Sequence, residues 1–297
     1  MMNLHSIVLV KQVPDTANIS GQVMKADGTV NRAMLPAIFN PEDRVALEIA
    51  LQLKDLYGGK VTAITMGPPK ASDVLRECLY MGTDEVYLIS DRKFAGADTL
   101  ATSYVLCEAV KKIGNYDLIF SGRQAIDGDT AQVGPQTAEK LNIPQITYVE
   151  KILEIAERRI KVKHKIDGGY EILEATLPLL LTVIKDAAVP RPFKARRVMA
   201  YKSARSLSEL EKMTEGNSLL YIDDLKDEYT RKNLFLPTLT MDELPVDPER
   251  CGLAGSPTKV YKIDSVVLAG GEHMNIEPTK EGLNKLIDKL MEDRIFG

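Results

Sequence analysis

The sequence has little of what metal, thiol and hydrolytic chemistry are built from. Its 297 residues include only three cysteines, Cys78, Cys107 and Cys251, and three histidines, His5, His164 and His273. No Cys-x-x-Cys pair occurs, so a disulfide framework, a zinc site or an iron–sulfur ligand set has no spacing to build on. Cys78 and Cys107 fall in apolar helical patterns and are expected to be buried and inert. A Gly-x-Ser-x-Gly elbow is missing, and so few histidines leave a Ser-His-Asp or Cys-His site short of raw material. The Gly-x-Gly-x-x-Gly dinucleotide fingerprint and the Gly-x-x-x-x-Gly-Lys-Ser/Thr phosphate loop are absent as well. The longest apolar run, residues 177–184, is far shorter than the ~20 residues that span a bilayer, so no membrane insertion is expected. Nor does one sign of charge dominate. With 38 basic and 42 acidic residues the net charge is −4, which provides no global field for nucleic acid or an anionic bilayer. The N-terminal stretch turns charged at Lys11 and lacks a long apolar region before a cleavage site, so a cytoplasmic address is expected.

What is present is an ordinary globular composition, 44% hydrophobic and 27% charged. At roughly 150 residues per domain, the length suits two domains or one large domain with an appendage. Residues 6–10 read as a buried strand. Asn40, Pro41, Glu42 and Asp43 then read as a helix start, with Asn40 as cap, Pro41 at the first helical position and two acids at the positive end of the dipole. The pattern continues with a strand at 60–66, a helix ending near Met81, a strand at 85–89, a helix at 98–113 and a strand at 117–121. Such alternation predicts an α/β domain with a parallel sheet and helices on both faces. Its ligand site should lie at the C-terminal strand ends, where the segments after Val10, Met66 and Ser121 converge.

Beyond Pro144 the texture changes. Residues 146–155, 160–166 and 170–175 alternate around an Asp167-Gly168-Gly169 turn, which predicts an antiparallel ribbon, and residues 179–184 return as a buried strand. Turn residues dominate from Ser206 on. A stretch of irregular sequence that long suggests an arm packed on a partner chain. A strand candidate at 259–268 and a terminal helix at 280–294, with Leu283, Leu286, Ile287 and Leu290 at helical spacing, complete the chain.

The most informative segment runs from Ser121 to Thr137. It leaves an apolar strand, passes Gly122, Gly128 and Gly134 with Asp127 and Asp129 between them, and enters a helix near residues 130–136. Amide groups at such a helix start, with the Thr130 hydroxyl and the Gln132 amide, suit a phosphate or pyrophosphate. The same spacing also fits an ordinary strand-to-helix loop. The two acids suit magnesium or hydrolysis in principle, and equally a plain Asp-Gly-Asp turn. Any redox chemistry would have to come from a bound cofactor.

These residues resemble the β subunit of electron transfer flavoprotein. The resemblance covers about residues 3–200 and, more weakly, the tail. It rests on Val8-Leu-Val-Lys11, Asn40-Pro41, Ala63-Ile-Thr-Met-Gly-Pro68, the whole 122–134 segment, Ile166-Asp-Gly-Gly169 and Pro190-Arg191, of which the 122–134 segment is highly specific. It implies a Rossmann-like nucleotide-binding domain over residues 1–200, and an arm and extension over 201–297 packing on an α subunit that carries the electron-transferring FAD. In that family the β site takes AMP in ordinary members and a second FAD in bifurcating ones. The spelling Asp127-Gly-Asp-Thr-Ala-Gln-Val-Gly-Pro135, with Ala97-Asp-Thr-Leu-Ala-Thr102 and Gly252-Leu-Ala-Gly-Ser-Pro-Thr258, looks like the bifurcating and nitrogen-fixation-linked branch.

Carried over by position, the resemblance implies that Leu9, Asn40, Asp43, Met66, Asp98, Gly122, Gln124, Ala125, Asp127, Gly128, Asp129, Thr130, Ala131, Gln132, Val133 and Gly134 line the nucleotide. For Leu9 and Met66 a core role, and for Asn40 a helix cap, stand beside that reading. FAD in the β site would take electrons from NADH. One would pass to ferredoxin or flavodoxin, the other through the α-subunit FAD to a flavin dehydrogenase of the acyl-CoA dehydrogenase kind. The alternatives are an ordinary electron carrier with structural AMP, and a nucleotide-binding sensor resembling universal stress proteins. The basic segment 190–197 is similar in place to the family's loop for docking dehydrogenases, with Ala195 where a leucine is typical. A solvated surface loop is its other reading.

Overall fold

A computed structural model describes residues 3–15, 36–215, 221–258 and 275–292. Among them a nine-stranded sheet runs in the order β13-β5-β4-β1-β6-β10-β7-β8-β9, with β13 (Thr238–Leu239) at one edge and β7 (Gln145–Ala156), β8 (Arg159–Ile166) and β9 (Gly169–Thr176) at the other. Its parallel half comprises β1 (Leu4–Leu9), β4 (Gly59–Met66), β5 (Glu85–Ile89), β6 (Leu118–Gly122) and β10 (Leu179–Val183). The short strands β2 (Gln12–Pro14) and β3 (Ala37–Phe39) form a separate antiparallel pair just past β1. The chain builds outward from β1 to β4 and β5, then returns to place β6 on the other side of β1. That reversal opens a crevice at the carboxyl ends of β1 and β6, where parallel sheets of this kind place ligands.

Strand residues alternate between two cores because side chains in a β-strand point to opposite faces in turn. Val8, Phe120 and Leu181 pack with α1 (Pro41–Tyr57) and α2 (Ser72–Met81). Ile7, Leu9, Ile119 and Leu180 pack against α3 (Thr99–Ile113) and Ala138 of α4 (Val133–Leu141). Fully burying one such side chain is worth roughly 1.5–3 kcal/mol, so the two layers together anchor the strand ends that carry the site. The helices stop at Gly58, Gly82 and Gly114, each at positive φ, as expected where a chain must leave a helix through a left-handed residue. All three cysteines are buried, and burial raises the thiol pKa of each, that of Cys78 well above the ordinary value.

The antiparallel ribbon is present as β7 (Gln145–Ala156), β8 (Arg159–Ile166) and β9 (Gly169–Thr176). It continues the parallel sheet, because β7 pairs in parallel with β10. The turn at Asp167-Gly168 has Gly168 at φ 75, the backbone region a tight hairpin requires.

Residues 206–215 and 221–258 depart from the expectation of irregular sequence. They form α6 (Leu207–Thr214), α7 (Ile222–Arg231) and β13 (Thr238–Leu239), which adds to the sheet edge beside β5. α6 starts with a reciprocal capping box between Ser206 and Glu209. Leu239, Met241, Leu244 and Cys251 are buried in the same core as α3. By their contacts, residues 1–259 group as one compact unit and residues 260–297 as a second. The strand candidate at 259–268 lies outside the described residues. The terminal helix is α8 (Lys280–Glu292), in the second unit. Among the described residues no helix is long and apolar enough to cross a membrane.

Candidate functional site

The loop that follows β6 is held from below by the first turn of α1. Asn40 is fully buried, and its amide donates to the Gln124 carbonyl at 3.0 Å while its carbonyl oxygen accepts from the Ile126 N–H at 3.2 Å. Glu42 accepts from the Gln124 N–H at 2.9 Å and from the Arg123 guanidinium at 3.2 Å. Asp43 accepts from the Gly122 N–H and from the Lys11 N–H, each at 2.9 Å. Lys11, at the end of β1, closes the set by gripping both Asp127 oxygens at 2.7 Å. Asn40 is therefore no side-chain cap of α1: it makes no capping hydrogen bond to that helix's backbone, and both ends of its amide reach the loop. The acids expected to face the helix dipole likewise turn their oxygens to loop amides.

Gly122 is required by this arrangement. A Cβ there would lie 2.6 Å from an Asp43 carboxylate oxygen and 2.7 Å from the Asp43 nitrogen. Burial lifts the Asp43 carboxyl to about 7, against the opposing pull of its hydrogen bonds from Gly122, Asn40 and Lys11. The chain then rises into the segment before α4. Asp129 and Ala131 have φ of 51 and 53, a left-handed geometry that L residues adopt at a cost and that turns amides toward one side. The Gln124 amide donates to Asp129 at 3.0 Å, and the Thr99 hydroxyl donates to Gln132 at 2.9 Å. Gly134 lets α4 approach the sheet, since a Cβ there would sit 2.7 Å from the Ser121 hydroxyl oxygen. Gly128 is different: a Cβ would meet nothing within 4 Å, so its place in the segment leaves open space.

Above these strand ends lies a cavity of about 1060 Å³. Its lining includes Leu9, Asp43, Met66, Asp98, Gly122, Gln124, Ala125 and the whole run Asp127, Gly128, Asp129, Thr130, Ala131, Gln132, Val133 and Gly134. Asn40 is the exception among the expected residues: it lies beneath the loop and off the cavity wall. Leu9 belongs to the apolar core and to the cavity at once, and Met66 packs against the same core. Ile64, Leu88, Phe94 and Leu106 extend this apolar floor, while backbone amides and short polar side chains form the opposite rim. Such an arrangement suits a ligand with a flat apolar part and a phosphate part.

Asp98 caps α3 by accepting from the N–H groups of Leu100 and Ala101 at 2.9 and 3.0 Å. Thr258 reaches its other oxygen with both N–H and hydroxyl, and the Asp98 N–H donates to the Ser256 hydroxyl at 2.8 Å. Burial by itself would raise this carboxyl, yet the bonds from Ala101, Thr258 and Leu100 keep it below the usual carboxylate range. Asp98 thus joins the 97–102 and 252–258 segments, which are 150 residues apart in sequence. The two acids of the loop each have a partner within the protein. Asp127 is neutralised by Lys11, Asp129 takes the Gln124 amide, and among the described residues no group of three metal-binding side chains occurs.

Sequence reasoning missed several residues here. Lys11 and Glu42 hold the loop, and Ser90, Gly96 and Thr99 line the cavity. The run Val8-Leu-Val-Lys11 offered one signal, a lone cation at the end of a buried strand. The basic segment at 190–197 is more ordered than a loop. Arg191 makes a two-point pair with the buried Glu48, at 2.8 and 3.1 Å, and reaches Asp55 at 2.9 Å. Arg197 donates to the Leu79 and Thr83 carbonyls, and Ala195 opens the short helix α5 (Ala195–Tyr201). Two of its three arginines therefore brace the fold, which leaves Lys194 and Arg196 as its exposed cations.

Comparison with known proteins adds the family. The electron transfer flavoprotein domain model matches residues 27–207. An electron transfer flavoprotein subunit beta from Clostridium acetobutylicum is 42% identical over 98% of this chain and 99% of its own. The acryloyl-CoA reductase electron transfer subunit gamma of Anaerotignum propionicum is 44% identical over 97% of this chain and 98% of its own. The caffeyl-CoA reductase-Etf complex subunit CarD of Acetobacterium woodii is 40% identical over 98% and 99%. A crevice at the sheet's reversal point, the 122–134 segment on its rim and relatives matched from end to end agree: the chain belongs to the electron transfer flavoprotein family, as a β subunit.

Proposed function

We propose that the cavity holds FAD and that the chain is the β subunit of a cytoplasmic flavin-based bifurcating complex. In this reading NADH is the donor, ferredoxin or flavodoxin is one acceptor, and a flavin dehydrogenase reached through the α-subunit FAD is the other. The observation that carries the reading is the cavity itself. At about 1060 Å³ it lies just above the roughly 300–1,000 Å³ range of small-molecule pockets, more room than a mononucleotide needs. Two relatives named as electron-transfer subunits of acyl-CoA-type reductases, acryloyl-CoA and caffeyl-CoA, support a partner of that class.

The residues present fit such a group. Residues 128–134 would take the diphosphate with backbone amides at the start of α4. Leu9, Met66 and Phe94 would pack against the apolar portion, and Asn40, Glu42, Asp43 and Lys11 would keep the 122–127 loop in place. FAD supplies hydride acceptance and one-electron transfer, which no side chain here provides. None of the chain's own groups is assigned as nucleophile or general base; their work is to bind, orient and exclude water.

The test is to purify the chain with its α subunit and count cofactors. Two FAD per heterodimer, with bleaching on addition of NADH, is the expected result. One FAD together with AMP, and no reduction by NADH, would overturn the reading in favour of an ordinary carrier.

A further inference from the structure

A second, smaller pocket of about 370 Å³ lies on the other side of the Asp98–Ser256 contact from the main cavity. Leu100 and Tyr104 of α3, Lys140 in the last turn of α4, and residues Arg250 and Pro257 shape it. Its chemistry is unusual for a surface hollow. Lys140 and Arg250 face one space, and among the described residues neither forms an ion pair with any carboxylate. Glu249 lies on the same rim and pairs with neither. Lys140 is half-buried and Arg250 exposed, and two like charges around one hollow repel each other unless an anion arrives between them. The cost is visible at Lys140, whose ammonium is pushed down in pKa first by burial and then by Arg250.

The cation on the Arg250 side is also pre-arranged. Its guanidinium lies 4.0 Å from the centre of the Tyr104 ring, a stacking that orients the planar fork while leaving its edge free. Tyr104 is itself fixed, because it is buried and its hydroxyl accepts from the Asp247 N–H at 2.9 Å. Leu100, at 43% exposed, and the Pro257 ring give the hollow an apolar wall.

We propose that this pocket is a binding site for a small phosphomonoester, with the phosphate between Lys140 and Arg250 and an apolar body against Leu100 and Pro257. Two cations that pair with no carboxylate among the described residues, the Glu249 on their rim included, match a dianion, and guanidinium presents the geometry that phosphate oxygens accept. The site is separate from the nucleotide cavity and does not depend on whether FAD or AMP fills it.

The experiment uses the flavin-loaded αβ complex and titrates it calorimetrically, at fixed ionic strength, with phenyl phosphate, inorganic phosphate and phenol. Phenyl phosphate is expected to bind saturably, one per β chain, more tightly than either of the others. Lys140→Gln and Arg250→Gln should each weaken it roughly tenfold, with flavin content unchanged, while Lys140→Arg should retain binding. Binding that does not saturate, that is equal in wild type and both glutamine variants, or that inorganic phosphate matches in strength would overturn the proposal.

Discussion

Asn40→Ala separates two roles that the sequence alone could not tell apart. If Asn40 capped α1, its loss would cost about 1 kcal/mol, as at other helix N-termini, and the nucleotide site would be untouched. The structure gives a larger and more local effect. Truncation removes the partner of the Ile126 N–H and of the Gln124 carbonyl, both beneath a loop where Asn40 itself is fully buried. A fully buried polar group stripped of its partner costs about 1–3 kcal/mol; Gln124 and Ile126 are part-buried, so about 2–6 kcal/mol is the upper bound for the two together. Glu42, Asp43 and Lys11 still hold the flanking residues, so the damage should concentrate in residues 124–126. Each 1.4 kcal/mol that binding must spend in re-forming that loop appears as about a tenfold rise in Kd. Urea denaturation of the αβ complex and nucleotide retention after dialysis measure the two effects together. A stability loss near 1 kcal/mol with unchanged nucleotide content would refute the loop role and restore the capping one.

Two further outcomes follow from the same clamp. Gly122→Ala should destabilise the protein by about 1–3 kcal/mol, because its Cβ collides with Asp43 and Glu42 atoms at 2.6–2.7 Å. Gly128→Ala should leave the thermal midpoint unchanged but lower nucleotide affinity, because its Cβ would enter open space; equal midpoints for the two variants would contradict this contrast. The Asp43 carboxyl, lifted by burial from 3.8 to about 7, makes a prediction with a definite sign. Between those values the unfolded chain has released this proton and the folded one has kept it, so the contribution to stability is present below about pH 4 and falls as pH rises through 7. Asp43→Asn cannot ionise, so its urea midpoint relative to wild type should improve from pH 5 to pH 8; a gap that stays constant across that range would show that Asp43 ionises normally.

Much of the α/β half was legible because strands and helices there obey local rules. Glu85–Ile89 is a strand over the very residues that apolar clustering marks out, and Pro41–Tyr57 starts at its proline and ends before Gly58. These elements are set by periodicity and by residues with strong backbone preferences. The C-terminal part was less readable for the opposite reason. α7 has a single buried residue, Leu225, and β13 is two residues long. Such short pieces are stabilised by the surface they pack on, through Leu239 and Met241 in the core beside α3, and not by their own pattern.

The site shows the same division. The 122–134 segment announced itself through its glycines and acids, since backbone close to a phosphate or to another backbone demands small residues there. The role of Asn40 could not be read from spacing, because a helix N-terminus and a loop 84 residues away make the same demand for a short amide. Only the packing of α1 under β6 chose between them. Likewise the sequence by itself determined which strands and helices form and that their loops meet at one edge, because those follow from local propensity and parallel crossover geometry. Tertiary structure alone decided that Lys11 would neutralise Asp127, that residues 97–102 and 252–258 would meet at Asp98, and that Lys140 and Arg250 would share a hollow. Those depend on distances between segments far apart in the chain, which no local interaction encodes.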